Sequence, residues 1–137
     1  DFSRALHQLY IILFSFIEKF AAHSLAPHEE VAKSLGLCTQ RERGFHLDLE
    51  DYLQGTLGIS HELSRLAINS VSAGDYSRPF QIRQFLRDLH SAYSLLFPKN
   101  ELRKKFDELK YSLKKTEEVV YNLKVIYCML EEEYSYL

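Results

Sequence analysis

Glu62, Arg65 and Asn69 follow one another at spacings of three and four. On a helix, that spacing puts an acid, a base and an amide on one face. A carboxylate so placed could act as a general base or help to hold a divalent cation. A cation needs several converging oxygens, however, and the position one turn before Glu62 is Gly58. Glu62 alone makes no metal site. The structural reading of the same face is a buried ion pair with a neighbouring helix, since charge buried in an apolar helix must be paired. A second group is basic. Arg78, Arg83 and Arg87 lie close together, the last two four apart, and Arg103, Lys104 and Lys105 form another spot. Such residues can contact phosphates if several chains bring them to one surface. Asp75, Tyr76 and Arg78 share a Gly-Asp turn, which reads first as a helix-to-helix connection and second as a ligand site.

Five helices must position these residues. The first is expected over 2–24, apolar on all sides, with a buried strand over 9–17 as the rival reading. Its apolar core, Leu9 to Ile17, is too short to span a bilayer. A short second helix is expected over 27–35, with Pro27 at its start, Glu29 and Glu30 in its first turn and Gly36 just past its end. Residues 37–45 read as a loop. The third helix, about 49–73, has Asp48 as N-cap and an apolar stripe of Leu53, Leu57, Ser60, Ser64, Ala67 and Val71. Leu49, Leu63, Leu66 and Ile68 widen the stripe, while Gly55 and Gly58 suit a close helix approach. The fourth helix, about 79–96, carries Ile82, Phe85, Leu86, Leu89, Tyr93 and Leu96. The fifth follows Asn100, a capping residue. Its near-heptad seam is Phe106, Leu109, Leu113, Thr116, Val120, Leu123, Tyr127 and Leu130, flawed at Thr116. Its outer face is mixed in charge, including Lys114, Lys115, Glu117 and Glu118, and reads as solvated. The fold class is an all-α antiparallel helical bundle.

Composition limits the function classes. The hydrophobic fraction of 46%, with only five Gly and three Pro in 137 residues, excludes a disordered chain. A net charge of -2 gives no bulk support for nucleic-acid binding, so any basic surface is local. Cys38 and Cys128 are far apart and read as reduced intracellular thiols rather than a disulfide. No phosphate loop, HExxH, nucleophile elbow or His/Cys ligand cluster is present. The chain opens on Asp1 without an initiator Met, in sequence that already looks helical, and is read as residues 1–137 of a longer protein.

Four phrases, GFHLDLEDYLQG, ELSRLAINSVSAGDYSRP, FLRDL and LKYSLKKTEEVVYNLK, resemble the translin/TRAX family. The resemblance runs from about Leu6 to Val125, and NSVSAGDYSRP is its most specific part. It implies an all-helical domain whose N-terminal helices lie upstream of this chain. It also implies homo- or hetero-oligomers, typically octamers, that bind single-stranded RNA and DNA. With TRAX-type subunits they form an endoribonuclease complex that assists RNA silencing by passenger-strand removal and processes transfer-RNA fragments, in cytoplasm and nucleus. The family's metal-dependent site uses four carboxylates of the TRAX-type subunit, where Mg²⁺ is expected. By this resemblance those positions fall on Leu9, Ile12, Gly58 and Glu62, so only one acid remains. The chain then resembles the binding and scaffolding type of subunit, with no catalytic residue, metal or cofactor of its own.

Nucleic-acid contact is accordingly expected from Arg4, Arg78, Arg83, Arg87, Lys104 and Lys105. Arg4 matches the last basic position of the family's contacting stretch. Glu62, Arg65 and Asn69 are expected as structural polar residues, with Glu62 paired to Arg65 or another bundle residue. Two alternatives stay open: a weak nuclease using Glu62 with residues of another chain, and an inactive structural segment. The tail from Ile126 to Leu137 departs from the family pattern.

Overall fold

The molecule is described by a computed structural model over residues 27–34, 36 and 49–136. Four helices and no strand occur among the described residues: α1 (His28–Ser34), α2 (Leu49–Ser72), α3 (Arg78–Ser94) and α4 (Asn100–Ser135). The fold is all-α, as expected, with four described helices rather than five. The helix expected over 2–24, Arg4, Leu9, Ile12, Cys38 and the proposed cap Asp48 lie outside the described residues. None of the described helices is long and apolar enough to cross a membrane.

The described residues fall into two compact units. One holds the described residues up to 59 together with 98–107, the other holds 60–97 and 108–136. In the first unit, α1 buries Val31 and Ala32 and keeps its charged residues outside. Glu29 and Glu30 occupy its first turn and Lys33 its last, which complements the helix dipole. Gly36 ends it with φ +71 and donates its amide to the Lys33 carbonyl at 3.1 Å. Gly tolerates that left-handed state because it has no Cβ. The His28 and Tyr52 rings lie 5.2 Å apart, and burial pushes the Tyr52 phenol up from its ordinary value. The first half of α2 buries Thr56, Leu57 and Ile59, with Gly55 buried and Gly58 half-buried. Among the described residues of this unit, Phe106 is a buried aromatic ring.

In the second unit, α2 buries Ser60, Leu63, Ser64, Ala67 and Ser70. The α3 stripe is Pro79, Ile82, Leu86, Leu89 and Tyr93, at alternating spacings of three and four. The α4 stripe is Leu109, Ser112, Thr116, Val120 and Leu123. Several stripe positions are hydroxyls. A helix interior tolerates them when they donate to a carbonyl one turn back. Ser70 donates to the Ala67 carbonyl at 2.8 Å and Thr116 to the Ser112 carbonyl at 2.9 Å. The flaw in the α4 seam is therefore a satisfied, fully buried hydroxyl.

The structure corrects expectations about burial at five residues. Leu49 and Ile68 do not widen the buried face of α2, being 56% and 42% exposed. Leu96 does not extend the α3 stripe, because α3 ends at Ser94 and Leu95, Leu96 and Phe97 are all exposed. Phe97 takes a left-handed φ of 47 in this turn. The α4 seam is covered only as far as Leu123, and Tyr127 and Leu130 stand open. Asn100 opens α4 with φ 54, a state that asparagine tolerates better than most residues.

Candidate nucleic-acid interface

The turn between α2 and α3 is built by its glycine. Gly74 has φ +86, its amide donates to the Val71 carbonyl at 3.1 Å, and the Asp75 amide donates to the Ser70 carbonyl at 2.9 Å. These are the two bonds of a Schellman cap, which satisfies carbonyls left over at the end of α2. The chain then turns so that Asp75 faces the start of α3. Its Oδ1 accepts from the Arg78 amide at 3.2 Å and from the Ser77 hydroxyl at 2.9 Å, while Arg78 Nε donates to Oδ2 at 3.3 Å. Asp75 thus does the capping that Ser77, at the N-cap position, does not. Pro79 in the first turn needs no amide partner there.

The Ser77 hydroxyl is the main reason that the Asp75 carboxyl sits below its ordinary value. Desolvation works against this, and the Arg78 side chain, amide and charge add to it. The folded-state value is thus below the unfolded one. The stabilisation is present above the unfolded value and is lost as pH falls through the folded one. Asp75→Asn is expected to flatten the acid limb of stability below about pH 4, read from urea midpoints at stepped pH. An acid limb identical to wild type would show that the turn is not the titrating element.

Arg78 is tied to Asp75. Arg87, one turn beyond Arg83, bonds Glu117 of α4 through Nε at 3.0 Å, linking two positions thirty residues apart. Arg83 is half-buried, with its guanidinium 5.8 Å from the Phe80 ring centre, and its Nε is buried without a hydrogen-bond partner. Lys104 pairs with Glu101 at 2.9 Å and Lys105 is half-buried. Arg103 lies 3.4 Å from Asp107. The α3 arginines belong to one compact unit, and Lys104 and Lys105 to the other. Within the α3–α4 pair the missing partner in the sequence reading is Glu117. Its signal was available, since a short connection makes α3 and α4 antiparallel neighbours.

The polar line on α2 is not buried. Glu62 meets Arg65 at 2.6 Å on the same helix, with the Glu62 side chain 38% exposed and Arg65 more so, and Asn69 is exposed. The expected buried bridge to another helix is therefore a surface pair within α2. Such pairs contribute about 0–1 kcal/mol. Gly58, one turn earlier, supplies no side-chain donor. Among the described residues no three His, Cys, Asp or Glu side chains converge as a metal site would require. Cys128 is an exposed thiol.

A model of the Translin family matches residues 1–126. Translin of Gallus gallus is 51% identical over 123 residues, covering 89% of this chain and 54% of that protein. Translin of Homo sapiens is 49% identical over the same length with the same coverage. Translin-associated protein X of Rattus norvegicus is 43% identical over 77 residues, covering 55% of this chain and 27% of that protein. The chain spans about half the length of the translins it matches.

Proposed function

The chain belongs to the translin family, and from that premise we propose that it is part of a single-stranded RNA- and DNA-binding, non-catalytic scaffolding subunit. The assembly is of the translin–TRAX type, with sister translin chains and TRAX-type chains as partners. It acts as an endoribonuclease complex that removes passenger strands in RNA silencing and processes transfer-RNA fragments, in cytoplasm and nucleus. The observation that carries this reading is the match to translins, which covers more of the chain than the match to translin-associated protein X does.

The non-catalytic role is supported by donor chemistry. Mg²⁺ binds oxygen ligands in near-octahedral geometry. At the four positions in question the chain has Leu9, Ile12, Gly58 and Glu62. Three of these have no side-chain oxygen, and Glu62 is engaged by Arg65. These residues do not fit a Mg²⁺ site. The ion is assigned to the TRAX-type partner.

The test is RNA cleavage in Mg²⁺ by the intact protein, alone and co-assembled with a TRAX-type chain, with mass followed by light scattering and RNA retention by filter binding. The expected result is retention of single-stranded RNA by both species and cleavage only by the mixed one. Glu62→Gln is expected to leave cleavage by the mixed assembly unchanged within about twofold, since an exposed pair contributes little. Cleavage by the chain alone, abolished by Glu62→Gln, would replace this reading with a shared nuclease site between chains. The inactive-segment reading is favoured by one observation: Arg78, Arg87 and Lys104 are each already paired with an acid. It predicts no retention by residues 1–137 alone.

A further inference from the structure

We propose that the outer face of α4 from Tyr111 to Asn122 is a stacking surface for single-stranded nucleic acid. The inference rests on the binding reading above and assigns it to residues outside the expected arginine and lysine set. Tyr111 and Tyr121 are 63% and 68% exposed. They lie on the same side of α4 as Lys114, Lys115, Glu118 and Asn122, at helical spacings. At 1.5 Å per residue the two rings are about 15 Å apart along the axis, the span of a few nucleotides.

The surface between the rings has the chemistry that a base and its phosphate need. Lys115 sits over the Tyr111 ring at 5.4 Å, so a cation and an aromatic face share one spot. Lys114, Glu117, Glu118, Tyr121 and Asn122 line an open depression of about 400 Å³. The Asn122 amide carries both donor and acceptor, as a base edge does. Of the two acids there, Glu117 is held by Arg87 of α3 at 3.0 Å, which offsets its charge toward a phosphate. Glu118 is the acid that opposes binding. Stacking on exposed rings next to cations is how proteins hold single strands without reading sequence. A protein partner fits less well, because protein interfaces select tyrosine but deplete lysine and glutamate.

The experiment uses the intact protein and fluorescence anisotropy, with an oligouridylate and an abasic strand of equal length as probes. Tyr111→Ala with Tyr121→Ala is expected to weaken oligouridylate binding about tenfold or more while leaving the abasic strand unaffected. Tyr121→Phe keeps its ring and is expected to bind like wild type. Lys114→Ala with Lys115→Ala is expected to weaken both probes and to lower the salt slope by about 1.4, at about 0.7 per phosphate. Glu118→Gln is expected to tighten both. All positions are exposed, and circular dichroism with light scattering checks that each variant keeps its fold and mass. If wild type binds and the double tyrosine variant binds equally well, this inference fails and the binding reading stands. If the tyrosine variants change mass instead of affinity, the face is a contact between chains and the inference is overturned. If wild type binds neither probe, the binding reading itself falls and takes the inference with it.

Discussion

Leu86→Ala is expected to destabilise the protein by about 2–5 kcal/mol, the range for a buried leucine whose cavity cannot collapse. Leu86 is 0% exposed and stands mid-stripe on α3, between Ile82 and Leu89, which are also buried. The same substitution at Leu96 is the control. It removes the same atoms from a side chain that is 55% exposed, and its expected effect is within about 0.5 kcal/mol. The measurement is the urea midpoint at fixed protein concentration, because oligomerisation shifts apparent stability by mass action. A loss against a typical total of about 5–15 kcal/mol makes the first variant easy to tell from the second. Equal midpoints for the two variants would mean that Leu96 is covered, for which contact with a sister chain is the physical explanation.

Gly74→Val is the second large effect. A left-handed backbone at an L-residue costs roughly 1–2 kcal/mol, and β-branching adds to that. Nothing lies within 4 Å of the position that a Cβ would take, so the penalty is conformational and not steric against neighbours. That separates two explanations of the glycine. Gly74→Asn is expected to lose less than about 1 kcal/mol, since asparagine visits this backbone region, whereas a site crowded by neighbours would reject both. The consequence extends beyond stability. The Schellman bonds of Gly74 and Asp75 aim the Asp75 carboxylate at the Arg78 amide and side chain. Thermal unfolding of both variants, with nucleic-acid anisotropy alongside, checks the coupling. Valine is expected to disturb Arg78 and asparagine to leave it in place.

Much of the fold was legible because helix periodicity is local. Ile82, Leu86, Leu89 and Tyr93 announce the buried side of α3 by spacing alone, and Pro79 announces its start. Gly36 and Gly74 announce helix ends because few other residues adopt positive φ comfortably. Periodicity says which residues share a face but not how far that face is covered. Hence Leu49, Ile68, Leu96, Tyr127 and Leu130 were assigned to stripes and yet are exposed. The same limit applies to the polar line on α2. Spacing put Glu62 and Arg65 together, and only the packing shows that they meet on the surface.

For function, the sequence by itself determined the family, through contiguous phrases such as NSVSAGDYSRP, and that Leu9, Ile12 and Gly58 carry no side-chain oxygen. Both are properties of residue identity and need no coordinates. The tertiary structure alone decided which cations are already neutralised. Whether Arg87 meets a phosphate or Glu117 depends on a helix thirty residues away. It also decided that Tyr111 and Tyr121 stand open beside Lys114 and Lys115. Spacing can set side chains on one face, but exposure and charge pairing arise from what the other helices place beside them, and so only packing fixes them.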